Sequence, residues 1–267
     1  MNIKTVKLIY FSPTQTSKKI VEGIARGMNI ENVEHIDLTL PSKDTEKIKF
    51  SNDDFVIFGM PVYGGRIPAL AAARLAKFKG QQTLASVVVV YGNRAYEDAL
   101  LELKNIAVDS GFKPVAAGAF IGEHSFSRKE SPIAEGRPDK KDIAQTEAFG
   151  KSIFDKIQKN KNIDAIKQID VPGNFPYKQG VSPSKAAAST DNDDCTMCKT
   201  CATVCPAGAI TYEDEVITDN DKCILCCACL RICPTQAREL IVPPILEKIK
   251  ELSESCKEPK KAELFVY

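Results

Sequence analysis

Ten cysteines crowd the C-terminal third of this 267-residue chain, none of them before Cys195 and nine between Cys195 and Cys233. Two runs account for most of them. The first is Cys195-x2-Cys198-x2-Cys201-x3-Cys205-Pro206, and the second is Cys223-x2-Cys226-x2-Cys229-x3-Cys233-Pro234. The second repeats the first at an offset of 28 residues, which also brings Ala209 onto Ala237. Short CxxCxxC spacing lets three thiolates converge on one iron–sulfur cubane from a tight loop, while the more distant cysteine turns away to the partner cluster. On that pattern Cys195, Cys198, Cys201 and Cys233 hold one [4Fe–4S] cluster, and Cys223, Cys226, Cys229 and Cys205 hold the other. Structural zinc takes four ligands per site and fits this exchanged, Pro-terminated pattern poorly. A disulfide scaffold would spread its cysteines through a short secreted chain.

Two cysteines stand outside the quartets. Cys227 sits between two ligands of the second run, where the first run has Lys199, and reads as a small buried non-ligand. Cys256 lies in a Lys/Glu-rich segment and reads as an incidental free thiol. The second run also ends in Pro234-Thr235-Gln236-Ala237 where such repeats usually carry Pro-x-Gly-Ala, a change of turn residue that leaves every ligand in place.

The whole chain has an ordinary globular composition, 43% hydrophobic and 27% charged, and ahead of the runs it has a core to bury. Strand-like and helix-like segments alternate. Lys4–Phe11, Val33–Leu38, Phe55–Gly59, Ser86–Gly92 and Val115–Ile121 read as five strands, the fourth a continuous apolar run suited to burial on both faces. Ser17–Met28, Pro68–Lys79, Tyr96–Ser110 and Lys141–Lys159 carry helical spacing. The alternation predicts an α/β doubly wound parallel sheet with its ligand site at the C-terminal strand ends. From Val171 to Asp194 the composition turns to Pro, Gly, Ser and Asp, as in a linker or arm. The expected division is 1–160 for the α/β domain, 161–190 for the arm, 191–240 for the cluster module and 241–267 for a helical extension.

Net charge hides a polarity. The whole chain carries +1, yet residues 1–190 hold 27 basic and 21 acidic side chains, while residues 191–240 hold 4 and 9. No basic excess points to nucleic acid, no apolar run is long enough for a membrane span, and no leader-like segment opens the sequence, so a cytoplasmic protein is expected. The acidic segment suits a complementary basic redox partner, and the opposite charges suggest that the two parts attract each other.

Three loops follow predicted strands. The first, Ser12-Pro13-Thr14-Gln15-Thr16-Ser17, is hydroxyl-rich and opens a helix, an arrangement that can cradle a phosphate. Neither a GxxxxGK nor a GxGxxG pattern is present. The second runs Pro61-Val62-Tyr63-Gly64-Gly65-Arg66, and the third Gly92-Asn93-Arg94-Ala95-Tyr96-Glu97-Asp98. Glycines and aromatics at successive strand ends suit a phosphorylated planar ring.

These loops make the N-terminal part resemble flavodoxins, whose first loop reads Ser/Thr-x-Thr-Gly-x-Thr; here Ser12, Thr14 and Ser17 match and Gln15 replaces the glycine. With its PVYxGRIP, YGNRxYxDAL and GEHSxS segments and its two cysteine runs, the chain is similar over residues 1–240 to the flavodoxin–ferredoxin fusion proteins of anaerobes. The resemblance implies a flavodoxin-like domain joined to a small α+β bacterial ferredoxin-like domain. It implies FMN, with Ser12, Thr14, Gln15, Thr16 and Ser17 about the phosphate. Pro61, Val62, Tyr63, Gly64, Gly65 and Arg66, with Gly92, Asn93, Arg94, Tyr96 and Asp98, would surround the isoalloxazine.

Tyr63 is the favoured stacking residue over Tyr96. Arg66 reads equally as a stabiliser of reduced flavin and as the partner of a carboxylate. His124, after the fifth strand, stands near the expected ring edge, either as a proton relay or as a hydrogen-bonded structural histidine. The function implied is electron transfer between two [4Fe–4S] clusters and FMN. The alternative is an FMN-dependent reductase of a small molecule fed by the ferredoxin-like part. No side chain is singled out as a catalytic group.

Overall fold

In a computed structural model, described for residues 2–41, 48–179 and 185–267, the alternation becomes a three-layer sandwich. The central strands are β1 (Thr5–Tyr10), β2 (Asn32–Asp37), β3 (Asp54–Pro61), β4 (Thr83–Tyr91) and β5 (Phe112–Ile121). They lie parallel in the order β2-β1-β3-β4-β5. That order is flavodoxin-like, with its topological switch point between β1 and β3. Every residue of β3 and β4 is buried, as their unbroken apolar sequences require of inner strands, while β2 is an edge with most side chains exposed.

Helix α1 (Thr16–Met28) and α4 (Lys140–Lys159) cover one face; α2 (Ala69–Leu75) and α3 (Ala99–Asp109) cover the other. Helices α1 and α4 cross at very close range. A Cβ on Gly27 would fall 1.9 Å from the Glu147 carbonyl oxygen, and one on Gly150 would fall 2.0 Å from that of Ile24. The crossing fixes α1, and with it the loop at its N-terminus.

Three findings depart from the expected division. The extension after residue 240 is more than helical: α7 (Pro243–Ser255) is followed by β10 (Glu263–Phe265), which joins the large sheet antiparallel to β5. The run Leu264, Phe265, Val266 packs where a bare sheet edge would otherwise lie. The 161–190 segment is not a free linker in its described part. Ile166 and Ile169 are buried in the two cores, and the Ile169 N–H donates to the Pro114 carbonyl; residues 180–184 of this segment lie outside the described residues. Its last part already belongs to the cysteine module, since β6 (Ser189–Thr190) pairs with β9 (Arg238–Glu239).

The module is built twice over. It contains α5 (Thr200–Thr203), α6 (Ala228–Ile232) and the hairpin of β7 (Ile210–Tyr212) with β8 (Val216–Thr218). The 28-residue repeat extends to backbone conformation. Positive φ recurs at Met197 and Leu225 (both 54°), at Lys199 and Cys227 (64° and 58°), and at Gly208 and Gln236 (59° and 60°). Gln236 therefore holds the left-handed conformation for which the first run uses glycine.

Candidate functional site

The cysteines separate as the spacing requires. Cys205, from the first run, lines one largely enclosed cavity together with Cys223, Cys226 and Cys229 of the second. Ala188, Ile210 and Leu240 complete its apolar wall. Each quartet has one buried cysteine, Cys226 and Cys201, but only the other quartet has an exposed one, Cys198, so the quartet with Cys226 is the inner one. Burial pushes the Cys226 thiol up to about 12, and iron would be needed to hold it as a thiolate. The backbone supplies donors to sulfur, including the Ala209 N–H to Cys205 Sγ at 3.3 Å, and the Thr200 hydroxyl donates to Cys198 Sγ at 3.4 Å. An exchanged quartet in a dry pocket with N–H donors to sulfur fits a cubane. Cys227 also lines the cavity, but its thiol donates to the Leu225 carbonyl and burial drives its pKa well up, as for a neutral non-ligand.

At the C-terminal strand ends of the sheet, β1 runs into the hydroxylic loop. The Ser12 N–H donates to Thr39 Oγ1, and Ser12 Oγ accepts from the Lys18 N–H, so Ser12 shapes the loop. Helix α1 has no side-chain N-cap bond and no acidic residue in its first turn, which leaves its positive end uncompensated. Ser17, in that turn, is 0% exposed and its hydroxyl has no partner. An orphaned buried hydroxyl at a helix N-terminus is what a bound phosphate would satisfy. Thr14 and Thr16 flank it half-buried, and Gln15 is exposed with φ 64°. The glycine usual at position 15 is thus explained by the left-handed backbone. Gln15→Gly is expected to raise stability by about 1 kcal/mol, read as a higher thermal midpoint of the holoprotein, with the fold unchanged.

The two loops expected around a ring are only partly free for that task. Tyr63 and Arg66 exchange backbone hydrogen bonds across Gly64 (φ 61°) and Gly65 (φ 88°), a type I′ turn that needs both glycines. Arg66 makes a bidentate pair with Glu102, 2.7 Å on each arm, and stacks over Tyr177 of the arm. Of its two expected readings, the carboxylate partner is the one present. Asp98 accepts from the Asn174 and Lys178 N–H groups, which hold its carboxyl below the usual range. Asn93 is buried and bonds the tail, donating to the Cys256 and Glu258 carbonyls and accepting from the Lys260 N–H. Arg94 pairs with Glu97, and the Tyr96 hydroxyl donates to Glu263 at 2.6 Å. Arg66, Asn93, Tyr96 and Asp98 pin the arm and tail against the loops, a task legible only once the tail is seen to return. Pro61 and Val62 continue β3 into the turn, Val62 bonding the Val90 carbonyl. Gly92 leaves room for His124, whose ring atoms a Cβ there would meet at 2.3 Å.

His124 accepts a hydrogen bond from the Phe126 N–H through Nδ1. Burial first, then the charges of Arg94 and Arg231, lower its pKa to about 4 from the ordinary 6.5. It is a neutral structural histidine at physiological pH. A folded-state value below the unfolded one means stability is full above pH 6.5 and falls as pH drops toward 4, by on the order of 3 kcal/mol. The His124 Cε1–H resonance is therefore expected to hold its position from pH 8 to pH 5; a titration centred near 6.5 would refute this.

The module sits on these strand ends. Tyr63 is half-buried, and its hydroxyl is raised well above the tyrosine range by burial and by the neighbouring sulfurs of Cys226, Cys227 and Cys223. Ile224 packs onto the core of the α/β domain. Arg231 bonds the Glu123 carboxylate and the His124 carbonyl, both at 3.0 Å. Arg74 and Arg128 donate to the Pro206 and Leu240 carbonyls. The expected attraction between a basic domain and an acidic module is not how they meet. The Arg231–Glu123 pair takes its cation from the acidic module, and the basic domain's arginines bind backbone.

Comparison with known proteins agrees with this layout. Residues 188–211 and 216–239 match the family model of the 4Fe-4S binding domain. No curated protein matches the chain. Among solved structures it is similar to a flavodoxin from the domain Archaea, at 15% identity over 58% of this chain and 99% of that one, with a TM-score of 0.38. A flavodoxin from Streptococcus pneumoniae TIGR4 gives 16%, 55%, 94% and 0.37. Rubredoxin oxygen:oxidoreductase from Desulfovibrio gigas gives 15% and 0.43, over 59% of this chain and 37% of that one. At such scores the fold assignment stands on the strand order alone. The chain joins a flavodoxin-like domain to a 4Fe-4S binding domain, and no helix among its described residues is long and apolar enough to cross a membrane.

Proposed function

We propose that this protein carries FMN at the strand ends and a [4Fe–4S] cluster in each cysteine quartet, and passes single electrons between them. When bound, the clusters supply one-electron chemistry and the flavin one- or two-electron chemistry. The observation that carries this reading is the seating of the cysteine module on the strand-end loops, where Ile224, which lines the inner quartet's cavity, packs onto the α/β core and Arg231 bonds the His124 carbonyl. The Ser12–Ser17 loop would hold the phosphate, with Ser17 and the open end of α1 as donors. Cys198 and its exposed neighbours Asp191, Asp193 and Asp194 put the outer quartet at an acidic surface, suited to a basic redox protein. Electrons would then enter or leave through the outer quartet and cross to the flavin by way of the inner one. The reductase alternative needs a substrate pocket beside Tyr63 and His124, and there the module itself occupies the surface through Arg231 and Ile224.

The test is rapid anaerobic mixing with a one-electron donor, following flavin absorbance and cluster EPR separately. Reduction of the clusters followed by flavin reduction within the same chain is expected, at a rate independent of protein concentration. Clusters that stay reduced beside oxidised flavin would overturn the reading.

A further inference from the structure

Arg238 is 4% exposed, the most deeply buried cation of the cysteine module. Its guanidinium bonds only neutral acceptors: Nη1 donates to Thr190 Oγ1, and Nη2 to the Ala188 carbonyl and Thr218 Oγ1. Nε has no partner. A buried charge without a counter-ion costs several kcal/mol, so the fold must offer it negative charge of another kind. The position 28 residues earlier, in the first run, is Ile210, buried in the equivalent place. An apolar residue therefore suffices for packing there, and the charge needs a separate reason.

The residue is tied to the wall of the inner quartet's cavity. Its Nη2 donates to the Ala188 carbonyl and to Thr218 Oγ1, and both residues line that cavity together with Cys205, Cys223, Cys226 and Cys229. Cluster potentials are set by net charge, by hydrogen bonds to sulfur and by solvent exposure. A cluster gains one negative charge on reduction, so a fixed cation beside it in a dry pocket favours the reduced form.

Resting on the two-cluster reading above, we propose that Arg238 is the counter-charge of the iron–sulfur module and raises the reduction potential of the inner cluster, the one bound through Cys229. The electron would then rest on the cluster that faces Tyr63 and the flavin loops, with the outer cluster as the port to the partner.

The test is an anaerobic redox titration by EPR of the full protein and of Arg238→Met and Arg238→Lys. Methionine keeps the apolar volume and removes the charge. It is expected to shift the inner cluster's reduction equilibrium at least tenfold toward the oxidised form, about 59 mV for one electron. Lysine is expected to restore part of that shift. Full iron content with both midpoints unchanged in Arg238→Met would overturn the inference and leave Arg238 as a structural pin for Thr190 and Thr218.

If the methionine variant loses iron, the wild-type protein decides. Pulsed EPR after reduction, on protein labelled with nitrogen-15 in its arginine guanidinium groups, is expected to show coupling to a cluster spin that Arg238→Lys lacks. No coupling overturns the inference. A single cluster in the wild-type protein, by iron count, overturns the two-cluster reading and this inference together.

Discussion

Replacing Cys205 with Ala is expected to remove the iron–sulfur group of the opposite cysteine run. The cavity that Cys205 shares with Cys223, Cys226 and Cys229 contains none of the other three cysteines of its own run. Its loss leaves the inner quartet one thiolate short in a buried pocket, where the remaining thiol, Cys227, is turned to the Leu225 carbonyl. The variant should retain about half of the wild-type iron and the EPR signal of the outer cluster. Cys226→Ala should give the same spectrum, whereas Cys198→Ala and Cys233→Ala should form the complementary pair. With the inner cluster gone, flavin reduction through the chain should stop, because the outer quartet lies on the exposed side of the module. Pairing of Cys205→Ala with Cys198→Ala instead would mean that each run holds its own cluster.

Ser17→Ala should weaken FMN binding while leaving the flavin-free protein at least as stable. The Ser17 hydroxyl is buried and unpartnered in the protein alone, so its removal relieves an unsatisfied group there. With a phosphate present it becomes a hydrogen bond to a charged acceptor, worth about 1.5–3 kcal/mol. The expected rise in the FMN dissociation constant is about 10- to 100-fold, measured by fluorescence quenching during reconstitution. The opposite signs make the test sharp. A variant that lost stability without FMN and kept its affinity would assign Ser17 to helix packing alone.

Much of this was readable from residue order. Four of the five strands came from apolar runs that are buried almost throughout, as in β4, and the helix between β1 and β2 from its regular spacing. The phosphate-loop candidates lay next to each other in sequence, so local pattern sufficed to find them. The ring loops were found as loops, but their side chains were given the wrong neighbours. Asn93, Tyr96 and Asp98 bind segments 163–167 and 76–80 residues away, and no local signal reports such a pairing. The short apolar run Leu264–Val266 was the one available hint of β10, and three residues are too few to carry a period.

The cysteine runs determined by themselves the chemistry of the C-terminal module and set the expected division into quartets, because ligand spacing is a local geometric constraint that survives any arrangement of the rest. Only the tertiary structure decided which quartet is inner and what faces it. It also decided that the tail and arm occupy the polar groups of the ring loops, and that a lone arginine is buried beside the sulfurs. Those depend on burial and on contacts between distant segments, and burial is a property of the packed chain rather than of any stretch of it.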